Sequence, residues 1–223
     1  MTVIVDDFIA PVCLQDIEIL YQDTHLLLIN KPCGLLSLSG KNPLNRDSVH
    51  FRLVKEYSTA TMVHRLDFGT SGIMLIALTK DCNAALTKQF QSRKVAKSYV
   101  ALLQGHVENS SGQINSPIAK DRLLFPKVKI CSEFGKPATT RYKVLARYSD
   151  INTTRVQFEP LSGRTHQLRI HSQNFGHPIL GCDLYGTADS HAAADRLMLH
   201  AEKLAFIHPV TNQPICGYSS VPF

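Results

Sequence analysis

The run over residues 72–79, GIMLIALT, is the strongest constraint on how this chain folds. Its apolar side chains follow one another without alternation, the mark of a strand buried on both faces. After it, Thr79 is placed to cap a helix, KDCNAALTKQFQSRK, with Cys82, Ala85, Leu86 and Phe90 inward and Lys88, Arg93 and Lys94 outward. Upstream, DIEILYQDTHLLLINKPCG predicts two short strands around the polar turn QDTH, closed by the breaker Lys31-Pro32-Cys33-Gly34. A loop rich in Ser, Gly, Asn and Pro follows. Asp47-Ser48 can then cap a short helix whose positions Val49, Leu53, Val54 and Tyr57 share one face.

The second half reads mostly as strands: SYVALLQGHV, TTRYKVLARY, TTRVQFEPL, LMLHAEKLAFIH and PICGYSS, with Asn109-Ser110-Ser111-Gly112 as a turn. One helix is expected to open near Ser162-Gly163-Arg164 and another to lie between Ala188 and Arg196. Strands without regular helical alternation argue against a doubly wound sheet and for an α+β domain around a mixed sheet. No internal repeat or linker-like shift in composition divides the chain.

With 223 residues and 44% hydrophobic content the chain can fill a core. Its apolar runs are too short to span a membrane, and MTVIVDDFIA carries acids where a secretory leader needs basic residues. Six cysteines lie scattered with no C-x-x-C, a pattern of reduced thiols in a cytoplasm. The net charge of +6 suits a polyanionic partner, although solvated lysine faces give the same sum.

Four clusters bear on chemistry. In HRLDFGTSG, residues 64–72, Asp67 stands between a basic pair and a tight turn; it either caps that turn or faces a cleft as a reactive carboxylate. In LSGRTHQLRIH, residues 161–171, Arg164, His166, Arg169 and His171 crowd a helix start that can hold a phosphate or a carboxylate, or form the basic end of an exposed helix. Tyr99, in Lys97-Ser98-Tyr99, is either a packed aromatic or a platform and proton carrier for a base. GHPILGCDLYG, residues 176–186, is first of all a shaped loop.

Other chemistries do not fit. Gly69-Thr70-Ser71-Gly72 lacks the spacing of a nucleophile elbow. The ten histidines form no H-E-x-x-H, so a metal is not expected. No phosphate-cradling glycine motif is present, so no nucleotide cofactor is expected.

Taken together, HRLDFGTSG, KSYVALLQG, LSGRTHQLRIH and GHPILG, in this order and spacing, resemble the RluA family of pseudouridine synthases. The similarity runs from ILYQDTHLLLINKPCGLLS to LMLHAEKLAFIHP, and HRLDxxTSG is its specific signature. The resemblance implies a pseudouridine synthase fold, a mixed, mostly antiparallel sheet with flanking helices and a central active-site cleft. It implies an N-terminal extension over 1–15 and a single catalytic domain over 16–223, without the S4 RNA-binding domain of some relatives.

The activity implied is isomerisation of specific uridines in RNA stem-loops, in 23S ribosomal RNA and the tRNA anticodon loop, by a cytoplasmic monomer without a cofactor. Asp67 falls on the family's catalytic aspartate, Tyr99 on its active-site tyrosine, and Arg164 on the arginine that pairs with the aspartate. Arg65 falls on the residue that enters the space a flipped uridine leaves; His64, Thr70, His166, Gln167 and Arg169 complete the expected substrate-binding set. One departure is visible: after GHPILG the family often has Asp, whereas here Cys182 comes first and Asp183 next. Two rival readings are a non-catalytic RNA-binding protein on the same fold and an aspartate-dependent nucleosidase.

Overall fold

The computed structural model describes residues 8–223; the first seven residues of the extension expected over 1–15 lie outside them. In chain order the elements are β1 (Glu18–Gln22), β2 (Leu26–Lys31), α1 (Val49–Leu53), β3 (Thr61–Met62), β4 (Ser71–Ala77), α2 (Lys80–Gln91), β5 (Ala96–Gln104) and β6 (Ser111–Asn115). They continue as β7 (Ile118–Lys120), β8 (Val128–Ile130), β9 (Thr139–Tyr148), β10 (Thr153–Pro160), α3 (Gln167–Asn174), α4 (Ala188–Ala192), β11 (Leu199–Ile207) and β12 (Pro214–Tyr218). The fold is α+β, with mixed, mostly antiparallel pairing and few helices. Two compact units form, one from 8–97 with 200–222 and the other from Ser98–Leu199 with Phe223.

In the first unit β4 is the axis. All seven of its residues are buried, and each fully buried large aliphatic side chain contributes about 1.5–3 kcal/mol. β2 runs antiparallel to β4 from Leu26↔Ala77 to Lys31↔Gly72, with β1 antiparallel beyond it and β3 pairing at Ile76 and Ala77. β11 meets β4 in parallel at His200↔Ser71 and Ala201↔Gly72, and then pairs antiparallel with β12. α2 begins as its sequence predicts: the Thr79 hydroxyl accepts the Cys82 N–H at 3.3 Å, and Cys82 and Leu86 are buried. Ser48 caps α1 by accepting the Phe51 N–H at 3.1 Å.

In the second unit β5 pairs with β10, β10 with β9 and β9 with β6, all antiparallel. β7 and β8 form a separate hairpin. Val156 and Phe158 of β10 point into a core with Ala101, Leu103, Ile179 and Cys182. β6 occupies part of a stretch that reads as a turn; Gly112 and Gln113 offer no apolar alternation, and the strand exists through its pairing with β9. The helix expected to open at 162–164 begins instead at Gln167, because His166 takes a left-handed conformation, φ +52°, and breaks helical continuity before it. Among the described residues no helix is long and apolar enough to cross a membrane.

Candidate active site

Asp67 sits on an irregular segment immediately before β4, half-buried. The turn that follows it is closed by main chain: the Thr70 N–H donates to the Asp67 carbonyl at 3.1 Å. The turn is thus closed through the main chain at the Thr70 amide.

The KPCG segment grips the same turn from the side. Lys31 is fully buried, and its ammonium donates to the carbonyls of Pro32 (2.9 Å), Leu35 (2.7 Å) and Phe68 (3.2 Å). The Gly34 N–H reaches the Phe68 carbonyl at 3.0 Å, and the Cys33 thiol reaches the Gly69 carbonyl at 3.0 Å. Ser37 donates to the Leu66 carbonyl at 2.7 Å and accepts the Leu66 N–H at 3.1 Å. Main-chain groups from 66 to 70 are thus bound on both sides of Asp67, which restricts where its carboxylate can point.

Of the flanking residues, Arg65 is exposed and Thr70 buried. His64 turns inward. Its Nε2 accepts the Leu75 N–H at 3.0 Å, and its ring stacks on Phe90 with centroids 4.7 Å apart. Burial pushes the imidazole down to about 3, and the charge of Lys97 adds to the shift. His64 is therefore a neutral strut between the motif and β4.

In the second unit the segment ahead of α3 is organised by one buried amide. The Gln167 carbonyl oxygen accepts from the Ser162 hydroxyl (2.8 Å) and the Arg164 N–H (3.0 Å). Its NH₂ donates to the Thr139 carbonyl and the Thr140 hydroxyl, both at 3.0 Å. Every polar group of the side chain is engaged. Arg164 is held through its backbone, and its Nε donates to the Pro137 carbonyl at 3.2 Å.

His166 precedes α3, and its Nδ1 lies 2.8 Å from the Tyr185 hydroxyl, which also accepts the Val128 N–H at 2.8 Å. Arg169 is 4% exposed; its guanidinium pairs with Asp183 and donates through Nε to the Cys182 sulfur at 3.4 Å. The Cys182-Asp183 departure thus leaves an aspartate bound to this arginine. His171 is buried between the Thr140 hydroxyl and the Ser116 carbonyl, each at 3.0 Å, and burial holds it below the ordinary histidine range. Tyr99 lies on β5 opposite Phe158, packed against the core.

An open cleft of about 710 Å³ borders Arg164, lined by Lys120, Arg122, Lys129, Lys136 and Thr165 with Asp121 as its one acid. Cationic side chains on an open surface of this kind suit a phosphate backbone. Beside the expected residues the structure adds Lys31, Ser37, Tyr185 and Asp183 to the support of the site. Lys31 carries a visible signal, a lysine ending the apolar run LLLIN just before Pro32. Ser37 and Tyr185 carry none, since their partners lie 29 and 57 residues away.

Known proteins resemble this chain in sequence and in fold. A model of the RNA pseudouridylate synthase family matches residues 25–174. The dual-specificity RNA pseudouridine synthase RluA of Pasteurella multocida (strain Pm70) is 47% identical over 197 residues, 88% of this chain and 90% of the relative. The RluA protein of Escherichia coli (strain K12) is 46% identical over 191 residues, 86% of this chain and 87% of the relative. Among solved structures, human RNA pseudouridylate synthase domain containing 1 superposes with a TM-score of 0.79 at 29% identity, covering 96% of this chain and 86% of that one. Human RNA pseudouridylate synthase domain containing 4 gives 0.72 at 26% identity, covering 92% and 88%.

Proposed function

The chain belongs to the RNA pseudouridylate synthase family and is an isomerase, an RNA pseudouridine synthase, and from that premise we propose that it acts on uridines in stem-loops of 23S ribosomal RNA and of the tRNA anticodon arm. Support for both substrates comes from the likeness to relatives named dual-specificity enzymes. Residues 16–223 act in this reading as one catalytic module, a cytoplasmic monomer with free thiols.

The reaction breaks the bond from ribose C1′ to uracil N1, turns the base and joins C5 to C1′; the proton on C5 leaves and N1 gains one. No electrons are exchanged. Asp67 is the group that acts on the ribose, either as a nucleophile at C1′ or as the base that takes the C2′ proton. The observation that supports this assignment is the position of Asp67 in HRLDFGTSG, half-buried on a turn whose main chain is bound from 66 to 70.

The target base must leave its stack, at a cost of a few kcal/mol. Arg65, exposed beside Asp67, is the wedge that fills the gap, and Tyr99 stacks on the extruded base. The basic cleft beside Arg164 contacts phosphates. Gln167, Arg169 and His64 serve by fixing the segments that carry Arg164 and Asp67.

The decisive experiment is tritium release from RNA labelled at uridine C5, with the RNA mass measured in parallel. Wild-type protein releases tritium at unchanged mass, and Asp67→Asn binds RNA but releases none. Retained release by Asp67→Asn would overturn the role of Asp67, and a mass loss with free uracil would make the protein a nucleosidase. Carbodiimide-based sequencing of RNA from a deletion strain identifies the target uridines; unchanged modification of 23S ribosomal RNA or of tRNA removes that substrate.

A further inference from the structure

Ser71 and His200 form a buried pair that the reaction chemistry does not use. Ser71 is 3% exposed and His200 1% exposed. The Ser71 hydroxyl lies 2.8 Å from Nδ1 of His200. On the other side of the ring Nε2 faces Ser219, 3.3 Å from its carbonyl oxygen and 3.1 Å from its hydroxyl. The Ser219 carbonyl oxygen accepts only, which suits a proton on Nε2 and leaves Nδ1 to accept from the Ser71 hydroxyl.

This chain of bonds lies where β4 and β11 run parallel. The two strands are in register at His200↔Ser71 and Ala201↔Gly72. Thr70, the residue before Ser71, is the one whose N–H closes the turn onto the Asp67 carbonyl. Phe68 and Gly69 are held from the KPCG side and Thr70 by the Asp67 carbonyl, and Ser71 is the next anchor, the one that ties the end of this turn to β11. A two-pair parallel contact is short, and a directed side-chain bond across it removes the freedom to slide or twist that backbone pairing alone would leave.

We propose that His200 is a positioning residue for the isomerisation. Through Ser71 it holds the turn that aims Asp67 at the ribose, and Ser219 holds the other side of the His200 ring. The inference rests on Asp67 acting at the ribose. Displacement of a reacting group by about 1 Å is worth up to roughly 100-fold in rate, while substrate binding, which is spread over many contacts, changes little.

The test compares Ser71→Ala, His200→Ala, the double variant and His200→Asn by tritium release, at a temperature where each is folded by circular dichroism. Both single alanine variants are expected to lower kcat by roughly 10- to 100-fold with KM within about twofold of wild type. The double variant should be no slower than the slower single, because both remove the same bond. His200→Asn retains an acceptor near the Nδ1 position and should recover most of kcat. Should His200→Ala fail to fold, Ser71→Ala, which removes one oxygen atom, carries the test alone. Wild-type kcat in folded Ser71→Ala, additive losses in the double variant, or equal loss in His200→Asn and His200→Ala would overturn the proposal. A wild-type protein that releases no tritium would instead overturn the functional reading itself.

Discussion

Gly72 lies against the backbone of Ala201 so closely that a Cβ on it would sit 2.2 Å from the Ala201 carbonyl oxygen. Its φ of +113° is also one that side-chain-bearing residues rarely adopt. The last residue of HRLDFGTSG is therefore a glycine for two independent physical reasons, one of contact and one of conformation. Gly72→Ala is expected to destabilise the protein by about 3 kcal/mol or more, read as a lower urea midpoint, and to reduce tritium release in the protein that remains folded.

Acid sensitivity should follow His64. Between its folded value of about 3 and the ordinary 6.5 of histidine, the unfolded chain binds a proton that the folded chain does not. Its contribution is thus fully present above about pH 6.5 and declines as pH falls toward 3, with a slope of up to about 1.4 kcal/mol per pH unit. His64→Gln keeps an acceptor for the Leu75 N–H without titrating. Denaturation measured from pH 7.5 to 4 should show a shallower acid decline in that variant than in wild type.

Gln167 should govern the segment that carries Arg164. Gln167→Ala leaves the Arg164 N–H and the Ser162 hydroxyl without their shared acceptor, at about 1–3 kcal/mol. The expected kinetic result is a fall in kcat of roughly tenfold or more with RNA affinity little changed, measured by single-turnover assay and filter binding. Equal losses in kcat and affinity would instead assign Gln167 to substrate contact.

Asp183→Asn should weaken the loop after GHPILG. It removes a carboxylate that pairs with the Arg169 guanidinium, 5% exposed. Because Asp183 itself is 60% exposed, solvent screens the pair, and the expected loss is about 1–2 kcal/mol in place of the larger penalty of a fully buried pair. Arg169→Met with Asp183→Leu should recover part of that loss, as read from urea midpoints.

The basic cleft predicts salt-dependent RNA binding. Lys129→Gln and Lys136→Gln each remove a cation from the lining near Arg164. Each should reduce the slope of log affinity against log salt by about 0.7 to 0.9 for every phosphate that the lysine neutralises. Titrations of a stem-loop RNA at several salt concentrations measure this, and an unchanged slope would remove the cleft from the RNA path.

Local pattern was enough to reveal β4, β2 and α2 and the α+β class. An unbroken apolar run and a threonine cap act within a few residues, and chain-local physics decides them. HRLDFGTSG likewise marked Asp67, yet by itself left the residue poised between capping a turn and doing chemistry. What decided the rest was long-range. The β7–β8 strands are three residues each, too short to show a period. α3 starts late because a left-handed His166 interrupts the helix ahead of a glutamine whose partners are 27 and 28 residues away. Lys31 reads as a breaker in sequence and proves to be a buried clamp on the Phe68 carbonyl, 37 positions distant. Ser71 meets His200 across 129 residues. Residue types and their local order determine which elements can form; which buried donor finds which acceptor depends on how strands register, and that exists only once the chain has closed on itself.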